Sequence, residues 1–383
     1  MKILYYSYSF GFATTTFIRN ETEFFNKEHQ IKYLCTEYIA KETAPGYLKI
    51  IPFEENKIAK KSRWLLWNKD LVCSFKNKKY AKKLNAFIDD FNPDIIHCHF
   101  VYEALMLLDN LNDFDKKKII VHFHGYDASK MLRKKSYVKR LKFYLKKRNI
   151  FTISCNKYFV DNLENNFNVN IFSKYILKYG INVNSLFQPT SINENKSANP
   201  IIFTQVAGFL EKKGHHYTFL AFKKYIQLFN DHSAQLIIIG NGSLKESLLK
   251  EVEELGLKNQ VKFMGELRPT EIVEWLDKTD VFLHHSITDS EGDMEGIPNA
   301  IMEAMSMNLP VVSTIHSGIP ELVENGVNGY LVNEKVVDCY TMKMKEATKM
   351  GKLSINRLKI TNEYNMDIHN ELLRKFYVDC INS

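Results

Sequence analysis

The segment Asp289-Ser-Glu-Gly-Asp-Met-Glu-Gly-Ile-Pro-Asn-Ala-Ile-Met-Glu303 holds the sharpest chemical pattern in the chain. Acidic residues and two glycines run up to Pro298, which suits the first turn of a helix. Glu295 then falls in the loop and Glu303 one to two turns into the helix. The first backbone N–H groups of such a helix have no intrahelical partner and attract a phosphate. A solvated acidic loop is the plain alternative, but the Gly-x-Pro between the two glutamates fixes a turn-to-helix geometry. A calcium or magnesium loop ranks low, because the spacing does not match an EF-hand.

Three further segments follow strand-like runs. Val206-Ala-Gly-Phe-Leu-Glu-Lys-Lys-Gly214 places Gly208, with its backbone freedom, and Lys213 at a helix entry, where an ammonium can pair with a phosphate. Ile237-Ile-Ile-Gly-Asn-Gly-Ser-Leu-Lys245 imitates a dinucleotide fingerprint through Gly240, but Lys245 stands where a third small residue is needed. It reads as a tight turn near a nucleotide at most. His122-Phe-His-Gly-Tyr-Asp127 puts His124 at a strand end, with Asp127 close enough in sequence to orient it. His97 and His99 share a strand face and have the look of metal ligands. No third ligand is evident in the sequence, so packing is preferred and no metal site is expected.

The elements that must position these residues alternate between strand-like and helix-like, which reads as α/β with parallel sheets. Ile3–Tyr8, Ile31–Cys35, Asp94–His99, Lys118–Phe123, Ile150–Ser154 and Ile176–Lys178 are strand candidates, with helices at Thr16–Lys27 and Lys78–Phe91. The Pro-, Ser- and Asn-rich segment at 188–200 reads as a linker. A second series follows: strands at Ile201–Val206, Ala234–Ile239, Val261–Met264, Val281–His284 and Pro310–Ser313, and helices at His215–Phe229, Leu244–Leu255 and Pro298–Met307. The expected division is a first domain at 1–187, the linker at 188–200, a second domain at 201–355 and a helical tail at 356–383 that crosses back to the first. Ligands of open parallel sheets bind beyond the carboxyl ends of the strands, so two such domains set their loops around one cleft.

The chain has 383 residues and a formal net charge of +8, unevenly spread. Residues 1–190 hold 32 Lys+Arg against 18 Asp+Glu, and the remainder 20 against 26. The first half is thus expected to face something anionic: lipid, nucleic acid or a phosphorylated substrate. Lys130–Arg148 holds ten basic residues and no acid, with Val138, Leu141 and Leu145 at helical spacing. That is a basic amphipathic helix able to lie on an anionic membrane through Lys134, Lys135, Lys139 and Arg140. Trp64 and Trp67, within another basic stretch, can reach the bilayer interface. No recognised RNA-binding motif appears, so nucleic acid is not an expected partner. No apolar run is long enough to span a bilayer, no leader pattern opens the chain, and the six cysteines lie far apart. These features point to a cytoplasmic protein, peripheral at the inner face of the plasma membrane.

Taken in order, these segments resemble the family 4 glycosyltransferases of GT-B fold, and most of all the subgroup that makes bacterial exopolysaccharides such as colanic acid. Thr15-Thr-Phe-Ile18, His97-Cys-His-Phe100, His124-Gly-Tyr-Asp127, Tyr179-Gly-Ile-Asn182, Glu211-Lys-Lys-Gly214 and the Glu-x7-Glu pair Glu295/Glu303 carry the likeness, which covers nearly the whole chain. The resemblance implies a retaining, metal-independent enzyme without a cofactor. It would move a sugar from a UDP- or GDP-linked donor to a saccharide or lipid-linked saccharide acceptor. By the same resemblance Glu303 would hold the ribose hydroxyls, Glu295 would contact the donor sugar, and Lys213 would neutralise the diphosphate. Backbone amides of Ile297, Pro298–Asn299 and Ala300 would help bind sugar or phosphate. His124 would touch the donor sugar, and the Gly11–Phe12 loop would approach the diphosphate. The chain departs from the family at Gly208, where an Arg is usual, at His285, where a proline is common, and in its first loop, which lacks paired glycines. Two other readings stand beside this one: a relative with a soluble acceptor, and a weakened nucleotide-sugar-binding protein.

Overall fold

A computed structural model of the chain describes residues 1–10, 16–39, 43–54, 61, 65, 69–70, 75–189 and 200–383. Contacts divide the chain into two units, Met1–Leu177 with Asn370–Ser383, and Lys178–His369. The division thus falls at Leu177/Lys178, ahead of the segment 188–200, of which 190–199 lie outside the described residues. The end of the chain is two helices rather than one tail. Ser354–Glu363 belongs to the second unit, and Met366–Asn382 enters the first at Asn370.

The strands of the first unit are β1 (Lys2–Tyr6), β2 (Ser9–Phe10), β3 (Gln30–Cys35), β4 (Glu37–Tyr38), β5 (Leu48–Ile50), β6 (Ile95–His99), β7 (Ile119–Phe123), β8 (Ile150–Ser154) and β9 (Ser173–Ile176). Seven of them form one sheet in the order β5-β3-β1-β6-β7-β8-β9, and β2 pairs with β4. Every pairing is parallel. The central strands β6, β7 and β8 are buried at every position, as both faces of a parallel sheet require. The helix Lys78–Phe91 shows how the flanks are fixed. Asn77 caps its start by accepting from the Tyr80 N–H, and Asn92 closes it in the left-handed region. Tyr80, Leu84, Ile88 and Phe91, three or four residues apart, form its buried stripe. Leu373, Phe376 and Tyr377 of the last helix pack into the core with Ile3, Tyr5, Ile31 and Ile120.

The second unit's strands are β10 (Ile202–Val206), β11 (Gln235–Ile239), β12 (Val261–Gly265), β13 (Val281–His284), β14 (Val311–Thr314) and β15 (Gly329–Val332), in the order β12-β11-β10-β13-β14-β15 and all parallel. Successive strands add to one side of β10 and then, from β13, to the other. The order therefore reverses between β10 and β13, which opens a crevice at their carboxyl ends. In the first unit the same reversal lies between β1 and β6. The sheets thus say where each unit can hold a ligand before any side chain is considered.

Candidate active site

The loops that leave β10 and β13 carry the two sharpest sequence segments. After β10 the chain passes Gly208, makes a short 3-10 turn at Glu211–Lys213 and enters the helix His215–Phe229. Gly214, at the junction, has φ +60°, and a Cβ there would lie 1.8 Å from the His285 carbonyl oxygen. Only glycine fits, so the two loops lie against each other at their bases. The Ile287 N–H donates to the Lys212 carbonyl at 2.9 Å, and the Ser290 hydroxyl and N–H both donate to Glu211.

This seam brings the lysines onto the acidic loop. Lys213 Nζ lies 2.6 Å from Glu295 Oε2, and Lys212 Nζ lies 2.9 Å from Asp293 Oδ2 and 3.4 Å from Glu295 Oε1. Burial alone would raise the Glu295 carboxyl, but the Lys213 and Lys212 ammoniums overcome it and hold the group well below the usual carboxylate range. Burial likewise opposes the charge on Lys212, and Glu295 with Asp293 restores it and lifts its pKa above the ordinary value. Burial pushes three neighbouring imidazoles down: His215 to about 3, His285 to about 4, and His284 far below its ordinary value. The charge of the site therefore resides in the lysines and carboxylates.

Glu295 is also held through its backbone. Its N–H donates to His316 Nε2 at 3.0 Å, and His316 Nδ1 lies 2.5 Å from Glu334 Oε1. Since Nε2 accepts, Nδ1 carries the proton and donates to Glu334. The Thr288 N–H donates to the same carboxylate at 2.8 Å. His316 and Glu334 were not legible as site residues, because each becomes relevant only when β13, β14 and β15 lie side by side, and Asp293 stood in the acidic segment without a role until the loop after β10 brought Lys212 to it.

Beyond Glu295 the chain passes the buried Ile297 and Pro298 and enters the helix Asn299–Ser306. Pro298 is the cap, not the first helical residue expected for it, and the helix stops one residue short of Met307. No side chain caps this start, so the first-turn N–H groups at Asn299 and Ala300 point out of the helix. Glu303 is half-buried, and loss of solvent raises its carboxyl to about 7. At the end of β11, Gly240 is needed for backbone reasons, since its Cβ would lie 2.0 Å from the Ala207 carbonyl oxygen. Gly208 differs: it is exposed, and a Cβ would meet only the Asn241 carbonyl oxygen at 3.7 Å. The backbone does not demand glycine there.

In the first unit, His124 directly follows β7 and is almost buried. Asp127 does not orient its ring, as the sequence led us to expect. Its carboxylate accepts the N–H groups of His124, Gly125 and Val101, so it shapes the turn instead. The ring meets His99, whose Nδ1 lies 3.1 Å from His124 Nε2, and packs against Phe17, Phe100 and His122. His97 and His99 gain the third neighbour that the sequence did not reveal. Nitrogens of His97, His99 and His122 all lie within 4.8 Å of one another. Among the described residues this is the group able to offer three metal-ligating atoms. Tetrahedral zinc with ligands at about 2.1 Å would hold such atoms near 3.4 Å apart. Gly11 and Phe12 lie outside the described residues.

The basic segment is a 3-10 turn, Lys130–Arg133, and a helix, Lys135–Tyr144. Lys135 and Lys139 are exposed, with Lys142, Lys146 and Arg148, and Lys134 is half-buried. Phe143 and Phe172 are 50% and 53% exposed beside them. Arg140 corrects the expectation of an outward cation. It is buried, 2.5 Å from Asp109 Oδ1 and bonded to the Leu105 carbonyl. Trp64 and Trp67 lie outside the described residues.

Residues 187–362 match the family of Glycosyl transferases group 1. The chain is 36% identical over 181 residues to the putative colanic acid biosynthesis glycosyltransferase WcaL of Salmonella typhimurium, covering 45% of this chain and 44% of the relative. It is 37% identical over 174 residues to the amylovoran biosynthesis glycosyltransferase AmsK of Erwinia amylovora, covering 44% and 42%. A third relative, the UDP-Gal:alpha-D-GlcNAc-diphosphoundecaprenol alpha-1,3-galactosyltransferase of Escherichia coli, is 27% identical over 188 residues, covering 48% and 46%. The matched stretch spans less than half the length of each. Among solved structures, Anabaena Alr3699/HepE in complex with UDP and glucose aligns with a TM-score of 0.72 at 15% identity, covering 99% of this chain and all of that one. Likeness at that identity shows the fold, which is GT-B. Residues 187–362 thus match the Glycosyl transferases group 1 family in a chain of GT-B fold, and two of the relatives above are named for colanic acid and amylovoran biosynthesis.

Proposed function

We propose that the protein is a retaining, metal-independent glycosyltransferase of family 4. It takes a sugar from a UDP- or GDP-linked donor and passes it to a lipid-linked saccharide during synthesis of a bacterial cell-surface polysaccharide. One observation carries the reading: Lys213, Glu295 and the uncapped helix start at Asn299 converge where the second unit's strand order reverses. Departure of a nucleoside diphosphate builds negative charge, and a lysine with oriented N–H groups stabilises it where it develops. Glu303 would accept the ribose hydroxyls, and Glu295 and His124 would contact the donor sugar. The Asp-x-Asp pair of the sequence, Asp113 and Asp115, belongs to the first unit and faces Lys116 and Lys147 at the surface. It therefore gives no reason to place a metal at the diphosphate.

The lipid-linked acceptor draws support from the exposed lysines around Phe143 and from the diphosphoundecaprenol in the Escherichia coli relative's name. The same surface argues for a peripheral position at the inner face of the plasma membrane. No helix among the described residues is long and apolar enough to cross a membrane. Gly208 favours the second reading, a weakened nucleotide-sugar binder, because an exposed position open to a side chain lacks the usual cation. A thermal-shift panel of nucleoside diphosphates and their sugars in EDTA, followed by assay with lipid extract, decides. Stabilisation with transfer supports the enzyme, stabilisation without transfer to any acceptor supports the binder, and no stabilisation removes both.

A further inference from the structure

The loop that leaves β13 and carries Glu295 is fastened on two sides. On the side of the β10 loop the bonds to Glu295 are made by its charge: its carboxylate meets Lys213 at 2.6 Å and Lys212 at 3.4 Å. On the side of the loops that leave β14 and β15 the bonds are made to backbone. The Glu295 N–H donates to His316 Nε2 at 3.0 Å, and the Gly318 N–H donates to the Gly296 carbonyl at 3.2 Å. The Thr288 N–H donates to Glu334 Oε2 at 2.8 Å, and the Lys335 N–H donates to His285 Nε2 at 2.9 Å.

The two sides answer differently to a diphosphate. An incoming anion competes for the Lys213 ammonium and loosens the first. No lysine or arginine side chain takes part in the second, so it stays closed. What then fixes Glu295 is its own N–H, and that bond depends on where His316 carries its proton. A neutral imidazole accepts at Nε2 only with the proton on Nδ1, and the partner of one ring nitrogen decides the state of the other.

The partner at His316 Nδ1 is Glu334 Oε1, at 2.5 Å from a fully buried ring. Both oxygens of this carboxylate accept, Oε1 from His316 and Oε2 from the Thr288 N–H. Burial would raise the Glu334 carboxyl, but the bonds from His316 and Thr288 outweigh it and hold the group below the usual carboxylate range. An amide cannot copy the arrangement. Its single oxygen can serve one donor, and its NH2 then faces the other, donor against donor.

We propose that Glu334 is a positioning residue for sugar transfer, acting through His316 to hold the Glu295 backbone while the Glu295 carboxylate exchanges Lys213 for the donor sugar. The role rests on the reading of Glu295 as a sugar contact. With Glu334 in place, Glu295 moves as a side chain on a fixed backbone, and its carboxylate meets the sugar from one direction. Without it, the His316 proton is free to occupy Nε2, where it opposes the Glu295 N–H and releases the loop. Lys213 stands on the β10 loop and Glu303 within the helix Asn299–Ser306, so the groups assigned to the nucleotide do not hang on this tether.

The test joins two measurements on the whole chain. The first is two-bond 1H–15N correlation spectroscopy with 15N-histidine, His316 being assigned by loss of its signals in His316→Phe. The wild type should carry the His316 proton on Nδ1, and Glu334→Gln should move part or all of it to Nε2. A wild-type proton on Nε2, or an unchanged tautomer in Glu334→Gln, overturns the proposal. The second is transfer, measured with the nucleotide sugar that the thermal-shift panel selects and lipid extract as acceptor. Glu334→Gln should lower kcat by about tenfold without weakening nucleoside diphosphate binding. His316→Phe should do the same, and the double variant should be no slower than either single one, because both remove one tether. Additive losses, or weaker nucleotide binding with kcat unchanged, overturn the role. Should Glu334→Gln fail to fold, the wild-type tautomer and the kcat of His316→Phe decide. A wild type that transfers while Glu334→Gln and His316→Phe keep its full rate sinks this inference alone, whereas a wild type that transfers to no acceptor sinks the enzyme reading and the positioning role with it.

Discussion

Lys213 and Glu295 form a 2.6 Å ion pair that joins the loops after β10 and β13, with both side chains less than one-fifth exposed. In the proposed reaction the lysine is thus already neutralised before a donor arrives. An incoming diphosphate competes with Glu295 for the ammonium, and the sugar takes up the carboxylate that is released. Lys213→Ala should lower turnover by about 10- to 100-fold, since a charge-assisted contact contributes about 1.5–3 kcal/mol and each 1.36 kcal/mol is a tenfold change. Glu295→Gln should instead tighten binding of the bare nucleoside diphosphate while reducing transfer. Calorimetry with nucleoside diphosphate beside an initial-rate assay separates these. Weaker nucleotide binding in Glu295→Gln would sink the competition argument.

Glu303 pairs a cost in stability with its proposed role. Its folded pKa near 7 lies above the ordinary glutamate value. The folded state therefore binds more protons than the unfolded chain from about pH 4.3 to 7, and stability falls as pH rises through that window. Its half-buried side chain keeps some solvent, which tempers the effect. Glu303→Gln should raise Tm at pH 8 and abolish the rise in Tm that nucleoside diphosphate gives the wild type. A nucleotide shift of wild-type size in Glu303→Gln would remove the ribose role.

Much of this site could be read from the sequence, for a definite reason. Parallel strands buried on both faces appear as short apolar runs, and the residues just beyond them are loop residues with few structural constraints. Ile150–Ser154 and Val281–His284 were legible to the residue, and with the latter the position of the acidic loop. What stayed hidden depends on contacts distant in sequence. Glu21 looks like any helix acid until β6 brings His97 and His99 beside it. The edge strands Leu48–Ile50 and Gly329–Val332 are too short to show a period. Arg140 was misread because the basic run counted charges and could not see Asp109, a buried partner 31 residues away.

That pair gives a prediction in which one basic residue of the helix parts company with three others. Arg140→Ala leaves Asp109 buried with Tyr144 and the Phe75 N–H as remaining partners. Removing one member of a buried pair costs about 3–5 kcal/mol, less what those partners recover. The variant should lose several degrees in Tm. Replacing Lys135, Lys139 and Lys142 together by Gln should leave Tm within about a degree, since surface changes stay near 0.5 kcal/mol. It should weaken binding to phosphatidylserine-containing vesicles by about 100-fold, at about 1 kcal/mol per lysine. Equal partitioning of the triple variant and the wild type would exclude this face as the membrane contact.

The buried imidazoles of the second unit predict an acid limit. His215 and His285 titrate near 3 and 4 when folded and near 6.5 when unfolded. Between those values the unfolded chain binds the protons, so the stability that neutral burial contributes is complete above pH 6.5 and is lost as pH falls toward 4. Urea midpoints should decline across that window, and His285→Phe should flatten the decline. An identical pH profile in the variant would show that His285 does not carry its share.

Gly208 decides between enzyme and binder by gain of function. The position is exposed and a Cβ there makes an ordinary 3.7 Å contact, so Gly208→Arg should fold with little change in Tm. A guanidinium at that position follows β10 on the same loop as Lys213 and adds a second cation near the proposed diphosphate. It should tighten nucleoside diphosphate binding by about tenfold, at the low end of a charge-assisted contact. If it also raises the transfer rate, the natural glycine limits an active enzyme. If binding tightens and no transfer appears with any acceptor, the weakened-binder reading gains. Unchanged affinity would mean that the phosphates lie away from this loop, and the Lys213 assignment would fall with it.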